Sequence, residues 1–97
     1  MIYVNVIAAT TTTLIGANGV YGGALNKLTV CNNSLEEATI NLFLEDLTPT
    51  QYSLVNNLVV PAGVTLVLED NLQFNNEIYS LILTNSGTDP DLSIIIQ

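Results

Sequence analysis

The side chains of this chain that can do chemistry are nearly all carboxylates. Nine Asp and Glu residues stand against a single base, Lys27, which gives the 97 residues a formal net charge of −8. The sequence has no His, no Arg and no Trp, and only one cysteine, Cys31. Without His, the chain has no side chain that ordinarily titrates near neutral pH to act as a general base. These residue types predict a protein that is not an enzyme and that binds no cofactor.

Paired carboxylates are the only recurring arrangement that suggests a reaction or a metal. Two acids can carry out glycoside hydrolysis, but four Tyr, two Phe and no Trp offer few rings to hold a sugar. Asp89 and Asp91, on either side of Pro90 and close to Asn85, place several oxygen ligands in one segment, as calcium prefers. Their spacing does not follow the Asp-x-Asp-x-Asp-Gly pattern of calcium loops. A solvated, rigid turn is therefore the favoured interpretation over a calcium site.

Two other features have simpler structural interpretations. Gly16-Ala17-Asn18-Gly19 is rich in glycine but lacks the Lys-Ser/Thr ending of a phosphate loop, and Asn-Gly suits the type I′ turn of a hairpin. Cys31 excludes an internal disulfide and a cysteine-based zinc site. We expect it to be a small, half-buried strand residue.

The composition also excludes classes of partner. One Lys and no Arg cannot neutralise a run of phosphates, so we expect no nucleic-acid binding. No apolar run approaches the ~18–20 residues of a spanning helix, so we expect no membrane partner. The N-terminus lacks the basic and continuously apolar regions of a signal peptide, and a lone cysteine suits synthesis in a reducing cytoplasm.

Short β-strands must position these residues. Nine Ile, nine Val and eleven Thr favour strands, and pairs of Asn mark turns. Short runs alternate between apolar and polar residues at roughly ten-residue spacing, and none shows a helical stripe. Ile40, Leu42 and Leu44 share one face of such a run, and the pair Asn56-Asn57 predicts a break between strands at 51–54 and 58–60. The sequence predicts an all-β fold, a small antiparallel β-sandwich (jelly-roll or Ig-like) of about eight strands. Residues 1–97 form one domain, within which residues 1–15 are either an arm that adds a strand to a neighbour or an edge strand.

The last predicted strand is apolar on both faces. Leu92, Ile94 and Ile96 share one face, and Ile95 lies on the other. A strand of this kind at a free edge invites aggregation. Either it is central in the sandwich, or a neighbouring subunit covers part of it, in which case these four residues form an interface.

Several motifs in the last 60% of the chain occur in the same succession in one group of proteins. They are Ile40-Asn41-Leu42-Phe43-Leu44-Glu45-Asp46, Tyr52, Val60-Pro61-Ala62-Gly63-Val64-Thr65-Leu66-Val67-Leu68-Glu69-Asp70, Leu72-x-Phe74, Tyr79-Ser80-Leu81-x-Leu83, Ser86-Gly87, and Leu92-Ser93-Ile94-Ile95-Ile96. In these motifs the chain resembles small virion structural proteins of tailed bacteriophages, particularly marine and cyanobacterial phages. The resemblance implies a virion component made in the host cytoplasm, without specifying head, neck or tail.

An acidic chain is repelled by packaged DNA, which favours an outward-facing position. We therefore expect a capsid decoration, or cement, protein on the outer head surface, with the major capsid protein or other virion proteins as partners. Such proteins commonly occur as monomers or trimers, and we expect a homo-oligomer. The alternative is a neck, tail or fibre-associated β module that recognises host glycan through Tyr21, Tyr52, Tyr79 or Phe74.

Overall fold

A computed structural model describes residues 2–17, 24–69, 72–75, 77–87 and 89–97. Over these residues the chain is all-β and forms two antiparallel four-stranded sheets, which confirms the predicted sandwich. None of the described residues belongs to a helix that could cross a membrane. The strands found in the described ranges are β1 (Ile2–Val6), β2 (Thr11–Ile15), β3 (Ala24–Leu25), β4 (Leu28–Asn32), β5 (Ala38–Glu45), β6 (Gln51–Val60), β7 (Thr65–Leu68), β8 (Leu72–Gln73), β9 (Ser80–Ser86) and β10 (Leu92–Ile96).

The strand order identifies the sandwich as a jelly roll. The first sheet has the order β1-β10-β4-β7 and the second the order β2-β9-β5-β6, while β3 and β8 form a separate pair. The β1–β2 ribbon therefore pairs along its length with β9–β10, and the β4–β5 ribbon with β6–β7. Two sheets built from eight antiparallel strands in this way are a jelly roll. Of the two predicted topologies, this one is observed and the Ig-like one is not.

The core lies between the two sheets and follows the period-two alternation of the strands. In β4, Leu28 and Val30 point inward, and in β10 Leu92, Ile94 and Ile96 do so. The facing sheet contributes a matching set: Leu14, Ile15, Ala38, Ile40, Leu42, Val60, Leu81 and Leu83. The radius of gyration, 12.8 Å, is that of a compact domain of this length.

The position of β10 decides between the two interpretations of the last strand. It lies in the interior of its sheet, between β1 and β4, so the central placement is the observed one. Leu92, Ile94 and Ile96 are at most 1% exposed and form part of the core. They are therefore not accessible to a neighbouring subunit, and only Ile95 points outward, half-buried on the face of the sheet.

The N-terminal residues belong to the chain's own sheets. β1 is the edge strand next to β10, and β2 is the edge strand next to β9. Of the two predicted placements for residues 1–15, the described part forms edge strands.

Two local predictions differ from the structure. Residues 51–54 and 58–60 are predicted as separate strands divided by Asn56-Asn57, but β6 runs continuously through them. It does so because β6 has extra residues that bulge relative to β5, and Asn57 takes a left-handed φ of 53°. The predicted hairpin turn at 16–19 lies partly outside the described residues, and its flanking strands β2 and β3 belong to different sheets.

Candidate functional site

Four loops meet at one end of the sandwich. Val6, Leu92 and Asn32 align across the first sheet, so the ends of β1 and β4 lie beside the start of β10. In the second sheet, the start of β5 and the end of β6 lie at this same end, with Ala38 opposite Val60. The loops 7–10, 33–37, 61–64 and 87–91 (residue 88 apart) therefore all cross between the sheets at this end. We call it the four-loop end.

Asn32 fixes two of these loops from inside. Its side chain is fully buried, and its Nδ2 donates hydrogen bonds of 2.9 Å to the backbone oxygens of Glu36 and Val60. Its Oδ1 accepts from the backbone N–H and the hydroxyl of Ser34, at 3.1 and 2.6 Å. The Asn32 backbone also bonds to the 61–64 loop. Its N–H donates to the oxygen of Val64, and its oxygen accepts from the N–H of Gly63. Burial of an amide with every polar atom bonded strengthens these bonds and makes the loops rigid.

Asn85 holds the 7–10 loop in a similar way. This residue is 7% exposed, and its Nδ2 donates to the backbone oxygen of Ala8 at 3.1 Å. Its Oδ1 accepts from the N–H of Thr10 at 3.3 Å, and its own N–H donates to the Thr10 oxygen. The fourth loop is tied through Asp91, whose Oδ1 accepts from Asn5 at 3.0 Å and whose backbone oxygen accepts from the N–H of Asn33. All four loops are therefore anchored to the sheets.

These anchored loops hold apolar side chains in solvent. Leu35 is 96% exposed, the highest value among the large apolar side chains that the structure describes, and Ile7 and Val64 are also exposed. Beside Leu35 is a shallow depression of about 370 Å³, lined by Asn33, Ser34, Leu35, Glu36, Asp89 and Asp91. Apolar tips on rigid loops beside a depression have the geometry of a protein-docking surface.

The charge of the molecule is concentrated at its two ends. Of the residues in the ten strands, only Glu45 is charged, and it is the last residue of β5. The four-loop end carries Glu36, Glu37, Asp89 and Asp91. The single base, Lys27, lies at the opposite end, with its Nζ 3.8 Å from Glu69 Oε1. The carboxylates of the four-loop end therefore have no base beside them.

The structure does not bring together the three residues that the sequence suggests as calcium ligands, Asn85, Asp89 and Asp91. The Asn85 side chain points inward to the 7–10 loop, away from Asp89 and Asp91. In the described part of the chain, no three acidic or cysteine side chains are grouped as a metal site. Within this loop, Asp89 adopts a left-handed φ of 47°.

A different, compact loop lies at the opposite end, between β5 and β6. Asp46 Oδ1 accepts hydrogen bonds from the backbone N–H groups of Thr48 and Thr50, at 2.9 and 2.7 Å, and from the Thr48 hydroxyl. The Thr48 hydroxyl, followed by the two backbone N–H groups, lowers the pKa of Asp46 from its ordinary value of 3.8. This loop presents Leu47, which is 77% exposed.

The predicted glycan-binding aromatics do not form one surface. Tyr52 and Tyr79 make an edge-to-face contact, with ring centroids 5.9 Å apart. Phe74 packs against the core, and Tyr21 lies outside the described residues. Of the candidate rings in the described part of the chain, Tyr52 is exposed and Tyr79 is half-buried beside it.

The sequence predictions name Asn85, Asp89 and Asp91 only as possible calcium ligands and assign no role to Asn32 or Leu35, although the two buried asparagines carry a signal. Asn32 continues the inward positions of Leu28 and Val30, and Asn85 those of Leu81 and Leu83. A polar residue that extends an apolar face by period two is predicted to be buried, and a buried amide requires partners. Leu35 carries no comparable signal. It lies beside two acids in a turn, and Leu47 at the opposite end has the same kind of neighbours, so the sequence does not distinguish the two leucines.

Comparisons with known proteins show a likeness of fold and no relationship of sequence. No protein-family model and no curated protein matches the chain. One similar solved structure is the Anabaena sensory rhodopsin transducer, with a TM-score of 0.44 and 16% identity over 76% of this chain and 88% of that one. Another, a structure of infectious bursal disease virus Gx strain, has a TM-score of 0.52 and 12% identity over 95% of this chain. The chain spans 30% of the length of that viral chain, and at this identity the likeness is one of fold.

Proposed function

We propose that the protein is a non-enzymatic structural component of a tailed-phage virion, a capsid decoration protein on the outer head surface that stabilises the major capsid lattice. The observation that carries the proposal is the four-loop end, where buried asparagines hold the loops and Leu35 stands 96% exposed. A rigid apolar tip costs little ordering entropy when it docks. The resemblance to phage virion proteins supports the same function.

The charge distribution supports a contact with the outer surface of a capsid. Four carboxylates surround the apolar tips of the four-loop end, and the single base of the chain is paired at the opposite end. Such a rim complements a protein surface that carries Lys or Arg around an apolar pocket, because charge complementarity steers and orients docking. The same charge repels packaged DNA.

Two exposed leucines at opposite ends of the sandwich provide the test. Leu35→Asp places a charge at the centre of the proposed contact, whereas Leu47→Asp is a matched control at the other end. Binding is measured by co-sedimentation with capsids assembled from the major capsid protein of the encoding phage. We expect Leu35→Asp to weaken binding at least about tenfold, equivalent to ~1.4 kcal/mol, and Leu47→Asp to bind like the wild type.

The outcome contradicting the proposal is equal binding of both variants to capsids, or absence of the protein from purified virions. Both substitutions lie on exposed loop positions, so unchanged unfolding curves would show that a loss of binding is not a loss of fold. A reconstruction of the intact particle locates the protein directly.

The second candidate is a neck, tail or fibre-associated β module that binds host glycan. The observation in its favour is the exposed Tyr52 ring supported edge-on by Tyr79. A reconstruction that shows the protein at the neck, tail or fibres, together with glycan binding, would replace the first proposal with this one.

A further inference from the structure

The four edge strands of the sandwich are not equally protected against pairing with another chain. Proteins usually block an exposed edge with bulges, charges, proline or a very short strand. β2 contains a bulge between Thr13 and Ile15, and β6 has irregular register against β5 at two places. β7 has only four residues and is followed by Glu69, which lies beside Lys27.

β1 has none of these protections. Its five residues pair with β10 in unbroken register, from Ile2 opposite Ile96 to Val6 opposite Leu92. The strand contains no charge, no proline and no glycine. No strand among the described residues pairs with its other side.

The side chains of β1 are also incompletely covered. Ile2, Val4 and Val6 all point toward the core side of the sheet, but Val6 is buried while Ile2 and Val4 are only half-buried. They pack against the core from its rim. A further strand beside β1 would remove the remaining apolar surface of Ile2 and Val4 from water.

We propose that β1 pairs antiparallel with β1 of a second copy of this chain, joining the two first sheets into one of eight strands. The other three edges are protected, so the equivalent strand of another copy is the matching partner. A strand that pairs with itself makes an isologous contact, which closes as a two-fold dimer. This inference goes beyond the capsid contact, which uses the four-loop end, and it can be tested on the isolated protein.

The alternation of β1 determines the register of the pair. A shift by one residue would place the inward Ile and Val opposite outward Tyr3 and Asn5, which exposes apolar side chains. Of the permitted registers, the one centred on Val4 keeps all five residues paired. It places Val4 opposite its own copy, Ile2 opposite the partner's Val6, and Tyr3 opposite the partner's Asn5.

The absence of charge on β1 favours a copy of the same chain as the occupant. Two molecules with a net charge of −8 repel one another wherever their acidic ends meet. Along β1 they meet through uncharged strands, since the charged residues lie almost entirely outside the strands.

Two double variants test both the pairing and its register. Tyr3→Lys with Asn5→Lys places like charges opposite each other twice across the two-fold axis, at a Cβ separation of about 5 Å. Tyr3→Glu with Asn5→Lys places opposite charges there instead. Both variants contain the same lysine beside Asp91, so they differ only in the sign of the charge at position 3.

Sedimentation equilibrium up to millimolar concentration measures the association of each protein. We expect the wild type and Tyr3→Glu/Asn5→Lys to form dimers, and Tyr3→Lys/Asn5→Lys to associate at least about tenfold more weakly, even though its two added positive charges reduce overall repulsion. The control Thr65→Lys/Val67→Lys carries the same charges on the outer face of β7 and should dimerise like the wild type. A monomeric or trimeric wild type would overturn the proposal, as would equal dimerisation of the two position-3 variants. The wild-type measurement alone decides if a variant fails to fold.

Discussion

At the scale of single residues, the structure depends on two buried asparagines. Asn32 and Asn85 end inward faces that are otherwise apolar, and each donates its side-chain amide to loop backbone, Asn32 to the oxygen of Glu36 and Asn85 to that of Ala8. Among the described residues, no buried side-chain polar atom lacks a hydrogen-bond partner. A buried amide is favourable only under this condition, because an unpaired polar group in the interior costs about 1–3 kcal/mol. The two amides therefore fix loop conformations that apolar packing alone would leave undetermined.

Asn32→Ala should destabilise the protein strongly. It leaves the buried backbone oxygen of Val60 without its amide donor, removes one of the two donors to the Glu36 oxygen and creates a small cavity, so we expect a loss of roughly 2–4 kcal/mol. Urea unfolding measures the loss. The neighbouring exposed Asn33→Ala is the control, with an expected loss under about 1 kcal/mol, and equal losses for the two variants would contradict the role assigned to Asn32.

Asp46 should make stability depend on pH. Its pKa in the folded state lies below the ordinary value of 3.8, so the unfolded chain binds its proton at a higher pH than the folded chain does. The stabilisation is therefore fully present above pH 3.8 and is lost as the pH falls through the folded pKa.

Asp46→Asn removes this dependence, because the amide keeps an acceptor oxygen but no titrating group. We expect the difference in Tm between wild type and variant to be largest near neutral pH and to shrink well below pH 3.8, as followed by circular dichroism. A difference that stays constant with pH would show that the Asp46 bonds do not stabilise the charged form.

At the scale of elements, β10 shows how closely exposure follows alternation. Ile94 is 1% exposed in the core, while the adjacent Ile95 lies outward between Tyr3 and Thr29 on the neighbouring strands. We expect Ile94→Ala to cost about 2–5 kcal/mol by leaving a cavity, and Ile95→Ala to cost under about 1.5 kcal/mol. Thermal or urea unfolding of the two variants measures the contrast, and equal losses would contradict the assigned faces.

The sequence is sufficient to predict most strands, because β-branched alternation and turn residues are local signals. It predicts Leu92–Ile96 with the observed bounds and places Ile40, Leu42 and Leu44 on one face of β5. The sequence wrongly divides β6 in two at the pair Asn56-Asn57. The residue that accommodates Asn57 within the strand lies on β5, where Asn41 Oδ1 accepts the Asn57 N–H at 2.8 Å. A partner sixteen residues away leaves no trace in a local pattern.

The four-loop end is missed for the same physical reason. Its loops are distant in the sequence and meet only after both sheets have formed, through bonds such as Asn33 N–H to the oxygen of Asp91. The acids of this end are visible in the sequence, but their separation from the only base is not. The pairing of strands across long separations, which makes the fold a jelly roll, therefore determines the site as well.

At the scale of the whole molecule, an almost uncharged body separates two acidic ends. The principal extents are 37 × 25 × 19 Å, and the strands that form the body carry one carboxylate, Glu45, among all their residues. This arrangement allows close contact side by side and opposes contact end to end between copies. The proposed dimer uses the side, and the proposed capsid contact places one end against a different protein.

The acids at the end opposite the four loops have a consequence for a particle coated with this protein. If each molecule stands on its four-loop end, the outermost layer of the particle presents Glu45, Asp46, Glu69 and Glu77, with only Lys27 to offset them. Repeated over a whole capsid, this layer is a dense negative shell. Particles in suspension would then repel each other and stay dispersed, so a protein that stabilises the capsid would also keep the released particles apart.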